Sequence, residues 1–302
     1  GLANAVGFAI AEKKLSTKFG KELFNHYTYV LAGDGCLMEG LSHEACSLAG
    51  HLKLNKLVVF FDDNSISIDG STSLSTSDNV KIRFESYGWN VLTINGHNFS
   101  EISKAIKESK KSESPTLIAC KTKIGYGSPN KESKSSSHGS PLGIDEIELT
   151  RRNLNWINKP FDIPQKLLND WRNFALRNKK ILSNWSHVNK SLLNSENFKN
   201  YYNKNINEEL SKAIESFKNF HKDENTSCAT RKASELSLEL LNNKIHNLIG
   251  GSADLTGSNN TKTKEMTDFN ASNYDGNYIY YGVREHAMAA IMNGIALYGS
   301  FI

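Results

Sequence analysis

The 302-residue sequence holds no run of about 18 apolar residues, so no stretch of it reads as a membrane-spanning helix. It shows no secretory leader pattern. Without secretion, Asn-x-Ser/Thr triplets such as Asn98-Phe99-Ser100 carry no meaning. Cysteine is scarce: Cys36, Cys46, Cys120 and Cys228 lie far apart, with no CxxC pair. The first three fall in apolar segments, as core fillers do in a reducing cytoplasm, and a cytoplasmic location is the expectation. The net charge is only +4, and the lysines and arginines are scattered. With no basic stripe interleaved with aromatics, nucleic-acid binding is not expected. No P-loop occurs and no GxGxxG follows a strand-like run, which argues against a nucleotide-binding module. An EF-hand is excluded as well, because after Asp62 and Asn64 its obligatory glycine position is Ser67. There is no internal repeat.

What is present is alternation. The length suits about two domains of roughly 100–200 residues each and is ample for a core. The chain starts at Gly1 inside a helical pattern (Leu2, Val6, Ile10) and stops at Ile302 in an apolar stretch, as a piece of a longer protein would. Residues 1–15 read as a helix rich in small residues, 27–32 as a buried strand, and 37–52 as a helix with Leu41, Ala45, Leu48 and Leu52 on one face. Residues 56–61 are too apolar to alternate and read as a strand covered on both faces. Further strands are expected at 89–94 and 116–121. Between them Asn98 and Glu101 form a capping box for a helix through Lys110. This order predicts a doubly wound parallel α/β sheet. Residues 125–145 form a long loop, of a length that is either functional or disordered. Residues 150–224 are polar and read as irregular helices over the first domain. From Thr226 a new pattern begins: a helix at 231–242, a strand at 247–250, a loop with Ser252-Ala253-Asp254, a strand at 278–281 and a helix from Glu285. The domains expected are therefore 1–190, a linker at 191–225, and 226–302 as the start of a second, similar α/β domain.

The most informative residues are Asp34, in Gly33-Asp34-Gly35, and Asn64, in Asp62-Asp63-Asn64. Each ends an apolar strand-like run, and a helix separates the two runs. A strand–helix–strand unit brings both strand ends to one edge of a parallel sheet, where open α/β sheets bind ligands. A carboxylate and an amide oxygen suit a hard cation, and the glycines let backbone N–H groups approach an anion. The pattern is that of a diphosphate anchored through a metal ion. Taken singly, Gly-Asp-Gly is a common turn and Asp-Asp-Asn can close a loop.

The run Gly33-Asp34-Gly35-Cys36-Leu37-Met38-Glu39-Gly40, continuing through Ser42-His43-Glu44-Ala45 to Asp63-Asn64-Ser65-Ile66-Ser67-Ile68-Asp69-Gly70, resembles the thiamine-diphosphate signature of the transketolase family. So do Ile124-Gly125-Tyr126-Gly127-Ser128, the stretch Ser137-His138-Gly139-Ser140-Pro141-Leu142-Gly143, Arg231-Lys232-Ala233-Ser234, Gly250-Gly251-Ser252-Ala253-Asp254-Leu255 and Tyr281-Gly282-Val283-Arg284-Glu285-His286. These ordered matches run from Gly1 almost to Ile302.

The resemblance implies a thiamine-diphosphate-binding fold and a set of roles. Asp34, Asn64 and the Ile66 carbonyl would ligate Mg2+ or Ca2+, which the sequence does not separate. Gly33 and Gly35 would let the backbone approach the diphosphate. Glu285 would activate the aminopyrimidine, sharing a proton in a buried setting that raises a carboxyl pKa. The cofactor carbanion then attacks a ketose carbonyl. His138 would contact the diphosphate and a substrate oxygen, while Arg231 and Ser258 would hold a sugar phosphate. Asp254 and Glu39 match positions near the cofactor and at the subunit contact. His43 and His97 read as structural. Each residue also has a bland alternative: Glu285 as a carboxylate at a helix N-terminus, Arg231 as a surface helix residue, His138 as an idle loop histidine. The implied activity moves a two-carbon ketol unit from a ketose phosphate to an aldose phosphate in the pentose phosphate pathway, in a homodimer with the active site across its interface. Rivals are dihydroxyacetone synthase, which acceptor choice separates, a deoxyxylulose-phosphate synthase, against which Cys36–Glu39 argues, and a silent cofactor-binding scaffold. The family's upstream histidines, its downstream aromatic clamp and its third domain are not in this sequence. The isolated chain is therefore expected to be inactive and poorly folded beyond residue 225.

Overall fold

The computed structural model describes residues 1–202 and 208–302. The chain opens with α1 (Leu2–Phe19), ended by Gly20 in a positive-φ conformation whose N–H bonds back to the Ser16 carbonyl. Then follow β1 (Thr28–Gly33), α2 (Asp34–Met38), α3 (Gly40–His51), β2 (Leu57–Asp63), a small hairpin of β3 (Ile66–Ser67) and β4 (Gly70–Ser71), α4 (Val80–Ser86), β5 (Asn90–Asn95), α5 (Phe99–Ser109) and β6 (Thr116–Lys121). The main sheet has the order β1-β2-β6-β5, and all three pairings are parallel. The α/β parallel sheet expected from the sequence is thus present. Its central strands are dry: Leu57, Val58, Val59, Leu117, Ile118 and Ala119 have no solvent exposure.

Three local readings differ. Residues 27–32 were expected to be buried, but β1 is the edge strand, with Leu31 86% and Tyr29 47% exposed. α1 lies against β1. On the open face Tyr29 leans on the rings of Tyr27 and Phe60. The single helix expected at 37–52 is two helices, because Glu39 adopts extended backbone (φ −60°, ψ 130°) and breaks the run. Asn98 caps α5 by accepting from the Ser100 and Glu101 amides, but Glu101 reaches back past it to the Asn95 amide.

Beyond the sheet come α6 (Ser136–Gly139), α7 (Ile144–Asn153), α8 (Gln165–Val188), α9 (Lys190–Asn194), α10 (Glu196–Tyr202) and α11 (Glu208–Asp223). The segment 191–225 is largely helical where described, as the reading of 150–224 as irregular helices expected; its residues 203–207 lie outside the described residues. The physical reason is aromatic. Tyr201 is buried and meets Phe19 edge-on at 5.1 Å, while Phe198 meets the same ring at 5.2 Å. Those contacts dock α10 onto the end of α1.

The last segment comprises α12 (Thr230–Lys244), β7 (Gly250–Ser252), α13 (Thr256–Asn259), β8 (Tyr278–Tyr280) and α14 (Glu285–Tyr298), with β7 and β8 paired in parallel. The strand expected at 247–250 starts three residues later. Asn247 is instead buried with its amide on the Ser300 carbonyl, and the Ile249 amide bonds the Ile302 carbonyl.

The segment beyond residue 225 is packed closely onto the first through α14, which lies on α1. At their crossing two glycines meet. A Cβ on Gly7 would run into the Ile291 carbonyl and lie 2.7 Å from the Ile295 amide nitrogen; one on Gly294 would run into the Asn4 carbonyl. Val6, Ile10, Ala287 and Ile291 are sealed around this point with no exposure. Burying each large aliphatic side chain contributes about 2 kcal/mol. Three lysines of α1 then grip the loop before β8. Lys14 Nζ donates to the Asp275 and Gly276 carbonyls at 2.6 and 2.8 Å, Lys13 sits 4.5 Å over the Tyr274 ring, and Lys18 lies 3.9 Å from Asp275.

Gly7→Ala should force the two helices apart and cost about 1–3 kcal/mol, as overpacking does; thermal unfolding of the variant checks this. A second expectation concerns pH. Burial pulls the Lys14 ammonium down to about 8, against the opposing attraction of Asp275. Between that value and the ordinary 10.5, the unfolded chain holds a proton that the folded chain has released, so stability rises with pH across this window. Lys14→Met should flatten that rise relative to the wild type, as read by urea unfolding at about pH 7 and about pH 10.

Candidate active site

The parallel register decides which side chains meet at the sheet's carboxyl edge. Gly33 lies beside Asp62, and Asp63 beside Lys121. Asp34 follows directly as the first residue of α2. Three carboxylates therefore crowd one corner, and the chain treats them differently. Asp63 is buried and paired with Lys121 Nζ at 2.7 Å. Asp62 accepts from the Thr122 hydroxyl and, at 3.1 Å, from the Asn64 amide. Asp34 has no such partner: its Oδ2 is buried and bonded to nothing. Burial, then the nearby Asp63 charge, push its carboxyl above the usual range, although the Ser65 and Asn64 backbone amides pull the other way.

Asn64 shapes the turn that follows. Its Oδ1 accepts from the Ile66 amide at 2.9 Å, and Ser65 takes a left-handed conformation (φ 63°). The turn leads into the β3–β4 hairpin. A cavity of about 440 Å3 opens alongside, lined by Asp34, Asp63, Ser65, Lys121 and Arg83 among others. Gly33 and Gly35 do not owe their identity to this chain's own packing. Both have negative φ, and a Cβ on either would meet nothing within 4 Å. The space in front of them is open.

His138 is exposed on α6. It shares a second cavity of about 410 Å3 with Ile68, Ser135 and Gly139, so its loop faces the hairpin that follows Asn64. His97 stacks on Tyr126 at 3.9 Å and accepts from the Lys123 amide, which fixes the start of that loop. His43 contacts Arg83 and Tyr87 within the first domain. Burial and the Arg83 charge both lower its pKa.

The remaining candidates lie on the second domain. Glu285 begins α14 and is exposed, so the buried setting expected for it is not supplied by this chain. Its neighbours are fixed to α3: Arg284 donates to Ser47 Oγ and the Tyr281 carbonyl, and Glu44 accepts from the Ala287 amide at 2.9 Å. Asp254, with φ 63°, follows β7; Ser258 is on α13 and Arg231 on α12, all exposed. Among the described residues no hydrogen bond or ion pair joins these four to Asp34 or Asn64. The structure thus gathers Gly33, Asp34, Gly35, Asn64 and Ile66 at one edge, with His138 facing the same hairpin, and keeps Glu285, Asp254, Arg231 and Ser258 apart. Glu39 is exposed at the break between α2 and α3. The sequence reading gave no role to Glu44 and Arg284, although both stand inside quoted motifs. It also passed over Lys121 and Glu146, which nothing but three-dimensional pairing reveals.

No three His, Cys, Asp or Glu side chains converge on a metal position among the described residues. A metal in this corner would therefore draw on amide and carbonyl oxygens beside one carboxylate. Comparison with known proteins identifies the family. Residues 1–213 match the family model described as transketolase, thiamine diphosphate binding domain, and residues 226–302 match the transketolase pyrimidine binding domain. A transketolase of Sinorhizobium medicae is 44% identical over 302 residues, covering 100% of this chain and 44% of its own length. The solved transketolase of Campylobacter jejuni superposes with a TM-score of 0.85 at 37% identity, covering 100% of this chain and 46% of that one. A Pichia stipitis transketolase in complex with sedoheptulose-7-phosphate gives 0.87 at 36% identity, with 99% and 46% covered. The chain spans about half the length of the relatives it matches. With both domains matched in order, and the strand-end carboxylate and amide where the sequence put them, the chain belongs to the transketolase family.

Proposed function

We propose that this chain carries the cofactor-binding half of a thiamine-diphosphate-dependent transferase, which moves a two-carbon ketol unit from a ketose phosphate to an aldose phosphate in the pentose phosphate pathway. The observation that supports this best is the orphaned Asp34 oxygen beside the open space of Gly33 and Gly35. A buried carboxylate oxygen without a partner is costly, and a hard cation there removes the cost. Asp62 and Asp63 are already paired within the chain, which leaves Asp34, with the Asn64 and Ile66 oxygens, as the donor set for Mg2+ or Ca2+. The bare backbone at Gly33 and Gly35 accommodates a diphosphate held by that ion.

Thiamine diphosphate, when bound, supplies the electron sink for carbon–carbon cleavage. The protein's part is to orient and to move protons. His138, whose loop faces the hairpin after Asn64, would contact the diphosphate and a substrate oxygen. Arg231 and Ser258 suit the phosphate of the sugar, a guanidinium fork and a hydroxyl being apt for that geometry. The Pichia stipitis relative binds a sugar phosphate of this kind. Glu285 would hold the proton exchanged with the aminopyrimidine. Its exposure here supports a homodimer: a second copy covers Glu285, and the diphosphate domain of one subunit faces the pyrimidine domain of the other. A cytoplasmic location is part of this reading, and no helix among the described residues is long and apolar enough to cross a membrane.

In the full-length protein, transfer from xylulose 5-phosphate to ribose 5-phosphate should require both thiamine diphosphate and a divalent metal; turnover without either overturns the assignment. Asp34→Ala should abolish metal-dependent cofactor binding. Asp34→Asn should do the same and yet raise the melting temperature of the metal-free protein, since it removes a charge crowded by Asp63, on a carboxylate whose Oδ2 has no partner. Glu285→Ala should leave cofactor affinity near wild type and remove turnover.

A further inference from the structure

We propose that Glu146 is a positioning residue for His138, acting through Ser128 and Lys131; this rests on the role given to His138 above. Glu146 lies in the first turn of α7 and is 8% exposed. Its carboxylate spends every bond on the loop that precedes it. One oxygen accepts from the Ser128 hydroxyl and from the Asn130 amide at 2.8 Å, and the other accepts from Asn130 Nδ2 at 2.9 Å. Ser128, itself buried, accepts at Oγ from the Lys131 amide at 3.2 Å. Lys131 then takes hold of the chain on both sides of His138. Its carbonyl accepts from Ser137 Oγ at 2.6 Å, and its Nζ donates to the Leu142 carbonyl at 2.9 Å and more weakly to that of Pro141. The His138 amide closes the turn on the Ser135 carbonyl.

The arrangement is a relay of side-chain anchors laid over the backbone bonds of the loop's own turns. Glu146 sets Ser128 and Asn130, Ser128 sets Lys131, and Lys131 fixes the residue before His138 and a residue four beyond it. His138 has no packing of its own to hold it, being exposed on a four-residue helix. An acceptor-only group satisfies three donors at the root of the loop without needing a proton of its own. Those donors hold the Glu146 carboxyl down to about 2, so the clamp stays charged at any working pH.

The test uses the full-length protein. Glu146→Gln replaces one accepting oxygen with an NH2 group that meets Asn130 Nδ2 donor to donor. Pairing it with Asn130→Asp restores that bond with its polarity reversed. Misplacing a contact group by about 1 Å costs up to about 100-fold. E146Q should therefore lower kcat/KM by about 10- to 100-fold and speed amide hydrogen exchange across residues 125–143 in the cofactor-free protein. Adding N130D should recover most of both. Combining E146Q with His138→Ala should cost no more than H138A alone, because two residues acting as one unit are not additive. If the losses add, or if exchange in the loop is unchanged, the positioning role is wrong while the reading of the site stands. If H138A alters neither cofactor affinity nor turnover, the reading of the site fails and this proposal with it. Should E146Q not fold, Ser128→Ala breaks the same chain of bonds one step along, and the same outcomes decide.

Discussion

Everything in this molecule hangs on the place where α1 and α14 touch backbone to backbone. Gly7 and Gly294 leave no room for a side chain, so the axes approach until peptide groups are in contact. Dispersion and burial of Val6, Ile10 and Ile291 then act at the shortest possible range. α1 also lies against α3 and β1. The crossing, with the lysines of α1 on the loop before β8, therefore fixes the second domain relative to the sheet, and with it the cross-domain bonds from Glu44 and Ser47 to the start of α14. Had either glycine been larger, those polar bonds would not reach. The small-residue character of the first helix, visible in Gly1 to Ala11, is thus a packing device.

At the sheet edge the controlling quantity is charge. Parallel pairing places Asp62 and Asp63 beside residues that neutralise or occupy them, and leaves Asp34 with an unmet oxygen. The same sequence neighbourhood thereby yields two carboxylates that serve the fold and one that the fold does not satisfy. A residue the chain leaves unsatisfied at a strand end is a functional mark with a physical cause.

Much of this was legible in advance, for particular reasons. β2 and β6 announce themselves because both faces are covered, and uninterrupted apolar runs such as Leu57–Phe61 have no other home. The Asp34/Asn64 pair was legible because strand ends are predictable even when exact boundaries are not. β1 misled: Val30-Leu31-Ala32 is as apolar as a central strand, and nothing local says which strand lies at the edge. In the segment 191–225 the polar, Asn-rich composition did not announce that Phe198 and Tyr201 meet Phe19, a contact some 180 residues away in sequence. Glu146 was invisible because its partners are 16 and 18 residues distant, across a loop with no periodicity.

The edge position of β1 has a bearing on how such a chain behaves in solution. Thr28-Tyr29-Val30-Leu31-Ala32-Gly33 contains no charge, no proline and no bulge, the features that blunt an open edge. Among the described residues no strand pairs with its outer side. Peptide donors and acceptors there stand beside an 86% exposed leucine, which makes a template for strand addition.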